Sequence, residues 1–250
     1  MTTILIVESN PASGIAAAPE FVDALQLIDP SVKTRTVHPY DAEVTEADLE
    51  GIDGAIFTGS GVDWSTDAPE AAPLRAVMER VFDAGVPSYG SCNGMQLAAS
   101  VLGGSVGASP NGREDGLALD IRLTDAGRAH PFLAGRDDGY AVPCVHRDEV
   151  QRLPEGAVLL SGNAHSPVQA FAYEQGRIRF WGVQYHPEIT PVGIAEIFER
   201  LGTGTEAVRA DYRAAETDAG AARRLGAAPG DFVPLTRLTE IRNWLTSLAG

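Results

Sequence analysis

The chain has 250 residues, 44% hydrophobic and 21% charged, which is ordinary for a globular protein with a sizeable core. Its net charge of −15, with 34 acidic side chains against 19 basic ones and a single lysine, Lys33, argues against nucleic acid or an anionic membrane surface as a partner, because both need clustered cations. No segment approaches the ~18 apolar residues needed to span a bilayer, and the 2 cysteines, Cys92 and Cys144, give neither a disulfide framework nor a metal spacing, so a reduced cytoplasmic protein without metal or other cofactor is expected.

Taken in chain order, Thr3–Val7 is apolar and β-branched and reads as a first buried strand, too short and too poor in basic flanks for a signal peptide. Residues 19–27 have helical spacing, with Phe21, Ala24, Leu25 and Ile28 on one side. Residues 33–37 alternate as a strand, and residues 54–57 form a short buried strand ahead of the turn Thr58-Gly59-Ser60-Gly61. Residues 71–84 are helical, carrying Leu74, Val77, Met78, Val81 and Phe82. A strand over 86–90 leads to Cys92, and a helix-like segment covers 97–102. Strands that alternate with helices imply a parallel sheet covered on both faces.

After Gly103-Gly104 the pattern changes. Short strands are expected over 117–123, 139–144, 157–161, 168–173 and 177–183, as antiparallel additions whose last member delivers His186. A helical tail starts near residue 196. Residues 209–224 are Ala-rich and charged, and residues 236–248 carry Leu238, Ile241, Leu245 and Leu248 at helical spacing, so this segment should pack back onto the rest. The organisation expected is a domain over 1–201 with a packed helical extension over 202–250.

The most informative stretch is Gly90-Ser91-Cys92-Asn93-Gly94-Met95-Gln96. A cysteine between glycines at a strand-to-helix turn has the form of a nucleophile elbow, in which the glycines permit the tight turn and the sulfur is pushed out above the sheet. The helix N-terminus behind it favours the thiolate. Downstream, Gln184-Tyr185-His186-Pro187-Glu188 supplies a histidine as base and acid and a glutamate to orient it, on the same face if the segment is extended. Cys92, His186 and Glu188 together make an acyl-transfer set. Cys144 has no such context and reads as a core residue.

These two segments, G-x-C-x-G-x-Q and then Q-x-H-P-E, resemble those of class I (triad-type) glutamine amidotransferase domains, including the amidotransferase half of GMP synthase; the likeness covers roughly residues 3–200. It implies an open, doubly wound α/β fold with a mixed, mainly parallel sheet flanked by helices, in a flavodoxin-like layering. It further implies that Cys92 attacks a γ-carboxamide to give a γ-glutamyl thioester. The backbone N–H groups of Asn93 and Ser60 would form the oxyanion hole, although the turn here departs from the Gly-Gly-Pro form the family often shows. Gly59 and Gln96 would lie against the substrate, with an exposed helix glutamine as the alternative for Gln96. Segments 146–150 and 168–171 would lie near the glutamine pocket, with His146 and Asp148 either a second polar pair or structural. The substrate implied is glutamine or another γ-glutamyl compound. No synthase domain accompanies the motifs, which leaves open a self-sufficient hydrolase, an ammonia-supplying subunit of a separate synthase, or a regulatory subunit without turnover.

Overall fold

A computed structural model describes residues 1–249. The strands are β1 (Thr3–Val7), β2 (Lys33–Val37), β3 (Gly54–Phe57), β4 (Ser88–Ser91), β5 (Ser105–Ala108), β6 (Glu114–Leu123), β7 (Tyr140–His146), β8 (Asp148–Arg152), β9 (Val158–Gly162), β10 (Ala170–Gln175) and β11 (Ile178–Val183). The helices are α1 (Ala18–Ile28), α2 (Glu46–Leu49), α3 (Ala72–Asp83), α4 (Asn93–Val101), α5 (Asp125–Ala129), α6 (Pro191–Leu201), α7 (Glu206–Ala214), α8 (Ala219–Arg224), α9 (Pro234–Arg237) and α10 (Thr239–Ser247).

Nine strands form one sheet in the order β2-β1-β3-β4-β11-β10-β9-β6-β7. The β2-β1-β3-β4-β11 half is parallel, and β10, β9, β6 and β7 extend it antiparallel. The mixed, mainly parallel core with antiparallel additions is therefore as the alternation of elements predicts. Alternate side chains of each strand leave opposite faces. Ile4, Ile6, Ile56, Tyr89 and Trp181 pack against Phe21 and Leu25 of α1 and against Ile241, Trp244 and Leu245 of α10. Leu5, Val7, Ala55, Phe57 and Phe180 pack against α3 and α4. A third cluster joins α6, α7 and α8 to Leu117 and Ala141 of the antiparallel edge.

Several boundaries differ from expectation, each for a local reason. The helix expected over 97–102 begins at Asn93, immediately after the elbow. The helix expected from about 196 begins at Pro191, where proline at the first position and Thr190 Oγ1, which accepts from Gly193 N–H at 3.0 Å, mark the start. The pair β5–β8 lies outside the main sheet and was not anticipated, since Ser105–Ala108 is half-exposed and carries little apolar signal.

Candidate functional site

β4 ends in the middle of the sheet, and Cys92 caps it with φ 50° and ψ −105° before α4 starts. The sequence suggests that the flanking glycines absorb the turn, but neither has positive φ; the strained backbone falls on Cys92 itself. Gly90 and Gly94 serve close approach instead. A Cβ on Gly94 would lie 2.2 Å from the Phe57 carbonyl oxygen, and one on Gly90 would lie 2.6 Å from the Gly94 backbone. The elbow thus sits directly on its neighbouring strand. The Cys92 N–H donates to Val183 O of β11 at 2.8 Å, and Sγ lies 3.8 Å from Val145 O.

β11 runs beside β4 in register, Val183 opposite Ser91, so the chain leaving β11 arrives at the elbow. The His186 N–H donates to Pro143 O at 2.7 Å, and the imidazole lies close enough to Cys92 for the two to interact electrostatically. Nδ1 is 2.7 Å from Glu188 Oε1. The segment is not extended, as the two-residue spacing suggests. The Ile189 N–H bonds back to His186 O at 3.2 Å, so Pro187 occupies the second position of a turn that folds Glu188 under the ring. All three residues are buried, at 5%, 6% and 5% exposure for Cys92, His186 and Glu188.

Burial alone would disfavour the imidazolium, but the charges of Glu188 and Cys92 and their hydrogen bonds outweigh it and hold His186 well above the usual histidine range. Ser91, which sequence reasoning passed over, completes the arrangement. Its Oγ lies 2.9 Å from Tyr185 O and 3.1 Å from each Glu188 carboxylate oxygen. No sequence signal marks it beyond its place beside the cysteine.

The turn after β3 is tied to the loop after β1. Ser60 Oγ donates to Ser9 O at 2.8 Å, and Asn10 Oδ1 accepts from Gly61 N–H at 2.9 Å. Among the described residues the Ser60 N–H has no acceptor, and the Asn93 N–H stands at the first turn of α4, where helical donors lack intrahelical partners. Gly59 lies against the histidine: a Cβ there would come within 2.5 Å of His186 Cε1. Gly59→Ala is therefore expected to displace the imidazole and lower kcat at least about tenfold, since an error near 1 Å in a catalytic group is that costly. A steady-state assay beside a thermal melt checks it, and parental kcat in the folded variant would show that the ring tolerates the displacement.

Gln96 is buried at 5% and not exposed, and its Nε2 donates to Asp148 O at 2.6 Å and to Gln184 Oε1 at 3.2 Å. It thereby ties α4 to both downstream segments. His146 and Asp148 do not form a side-chain pair. His146 Nε2 meets Glu114 Oε2 at 2.9 Å and Nδ1 meets the Asp148 carbonyl at 3.0 Å, while the Asp148 carboxylate binds Arg147 at 2.9 Å. Glu114, Cys144 and His146 form a buried group whose ligand-type atoms all lie within 4.8 Å of one another. The Glu114 carboxylate also accepts from Asn163 at 2.7 Å and Gln169 at 2.8 Å. Burial would raise its pKa, but these bonds and His146 hold it below the usual carboxylate range. The trio is thus a satisfied hydrogen-bond network as it stands, and Cys144, fully buried, is a core residue whose thiol burial pushes up. No helix among the described residues is long and apolar enough to cross a membrane.

Against known proteins, the family profile described as "Glutamine amidotransferase class-I" matches residues 26–203. A "Gamma-glutamyl-L-1-hydroxyisopropylamide hydrolase" from a Pseudomonas species is 36% identical over 185 residues, 71% of this chain and 61% of that protein. A glutamine-hydrolysing GMP synthase from Heliobacterium modesticaldum is 38% identical over 160 residues, 63% of this chain and 29% of that protein. The alignments thus span less than two thirds of either relative. A crystal structure of a glutamine amidotransferase from Thermotoga maritima superposes with a TM-score of 0.66 at 20% identity, covering 99% of this chain and 97% of that one, and shows the shared fold.

Proposed function

Since the chain belongs to the class I glutamine amidotransferase family, we propose that it is an amide-hydrolysing enzyme that cleaves the γ-carboxamide of glutamine or of a γ-glutamyl amide through a thioester on Cys92. The observation that carries this reading is the buried group of Cys92, His186 and Glu188, in which the imidazole is held on the carboxylate by a 2.7 Å bond. The Cys92 sulfur attacks the γ-carbonyl carbon, and the carbonyl electron pair moves to oxygen. The Ser60 and Asn93 N–H groups receive that oxyanion; one such donor is typically worth ~3 kcal/mol in the transition state. His186 gives its proton to the leaving nitrogen, and ammonia or an amine departs. Water then attacks the thioester, His186 takes its proton, and glutamate leaves as the sulfur is restored.

On this reading the amidotransferase unit is residues 1–201, and residues 202–250 are an extension packed on it. A reduced cytoplasmic setting suits a thiol nucleophile. The second reading, an ammonia-supplying subunit for a separate synthase, draws on the likeness to GMP synthase. The test is glutamate release from glutamine and from a panel of γ-glutamyl alkylamides, with the released ammonia or amine measured in parallel. Turnover of an alkylamide with stoichiometric amine is the result expected of a self-sufficient hydrolase. Silence on every substrate, with Cys92 still alkylated by a glutamine-like electrophile, supports the partner-dependent reading. Silence with Cys92 unmodified would overturn both.

A further inference from the structure

The turn that carries Glu188 is held from outside the segment that matches the family. Arg237, at the end of α9, is 3% exposed. Its Nη1 donates to the carbonyl oxygens of Pro187 and, at 3.1 Å, Ile189, the residues on either side of Glu188. No carboxylate forms an ion pair with Arg237 among the described residues. Burial lowers its pKa, and the acids whose charges oppose that are Glu216 and Glu188. α9 is itself anchored to the core. Arg136 Nη2 donates to Arg237 O at 3.0 Å, and its guanidinium grips fully buried Glu240 of α10 at 2.8 and 2.9 Å. Glu240 Oε1 in turn accepts the Tyr185 hydroxyl at 2.9 Å, one residue before His186.

We propose that Arg237 is a positioning residue for the catalytic carboxylate, so that the C-terminal extension sets the placement of Glu188 under His186; this rests on the function proposed above. A guanidinium without a carboxylate partner is costly to bury, and an apolar side chain of similar volume would fill the same space at lower cost. What an apolar side chain lacks is the pair of N–H donors that fixes both carbonyls flanking Glu188. Glu188 faces Ser91 from β4 and lies in the fields of Glu20 on α1 and Tyr89 on β4, while His186 faces Cys92 and Glu188. Apart from the His186 imidazolium itself, Arg237 is the positive charge named here beside that turn.

The test uses the full-length protein with Arg237→Met, which keeps the stem, and Arg237→Lys, which keeps the charge. The His186 ring is titrated by nitrogen-15 NMR of histidine-labelled protein, and thermal midpoints and steady-state constants are measured alongside. In Arg237→Met the His186 midpoint is expected to fall by about one pH unit, as it should when an opposite charge is less well placed. Its kcat should drop at least about tenfold with KM within about twofold, as for an interaction realised in the transition state. Arg237→Lys should recover part of both. A folded Met variant with the parental titration and kcat would overturn the proposal. If the Met variant does not fold, the Lys variant decides: intermediate values support the proposal, and parental values or a second failure to fold assign Arg237 to stability alone. The titration needs no substrate, so it can fail while γ-glutamyl hydrolysis stands, and it still reads if no substrate is turned over.

Discussion

Cys92→Ala is expected to remove hydrolysis, by at least about 10⁴-fold in kcat, and to leave the fold intact, since loss of a nucleophile in a triad has effects of that order. The residue is buried in contact with its own sheet, and alanine keeps the backbone bond to Val183 O. Alanine also keeps the strained φ of 50°, because that strain comes from having a Cβ at all. Cys92→Gly separates the two effects. It removes the nucleophile and also the clash, and relief of about 1–3 kcal/mol of strain should outweigh the ~0.5–1 kcal/mol entropic cost of glycine. The glycine variant is therefore expected to be inactive yet to unfold at a higher temperature than the alanine variant. Measurable turnover by Cys92→Ala would end the nucleophile assignment, and a glycine variant that melts below alanine would refute the strain.

Glu188→Gln is expected to lower kcat by about 10²-fold or more, because a neutral amide no longer stabilises the imidazolium that forms as the thiol proton moves. Stability should change with a definite pH dependence. His186 has its pKa raised in the folded state, so its bond to Glu188 contributes fully below the unfolded value near 6.5 and fades as pH rises through the folded value. The gap in melting temperature between parent and Glu188→Gln should accordingly be widest below about pH 6.5 and narrow as the pH rises above it. A gap that widens with pH would mean that His186 is not held as an imidazolium.

The elements that repeat a pattern were readable from the sequence. The parallel half of the sheet follows from strands and helices in alternation, and the packing of residues 238–248 follows from their apolar spacing. Short motifs single out Cys92, His186 and Glu188 in the sequence, and the fold brings these three buried residues to one place. What escaped depends on neighbours distant in sequence. Ser91 reaches Glu188 because β4 lies beside β11, an adjacency that no local window contains. Glu114 meets His146 through the register of β6 on β7. The need for residues without side chains at Gly90 and Gly94 was readable, but not what each one meets: Gly90 faces the first turn of α4 and Gly94 faces Phe57 of β3. Pro187 suits an extended run and a turn equally, and the bond from Ile189 to His186 decides between them.

The pairing of β4 with β11 has a consequence for the life of the chain before it is folded. The strand that ends at Ser91 and the strand that ends at Val183 are separated by nearly a hundred residues of sequence, yet lie side by side in the sheet. Contacts of such separation are closed late, because the intervening loop must be ordered first. During synthesis, then, Cys92 emerges as an ordinary thiol without its imidazole. The group of Cys92, His186 and Glu188 comes into being only with the completed sheet, so on the function proposed above an unfinished copy has a thiol without the base that would activate it.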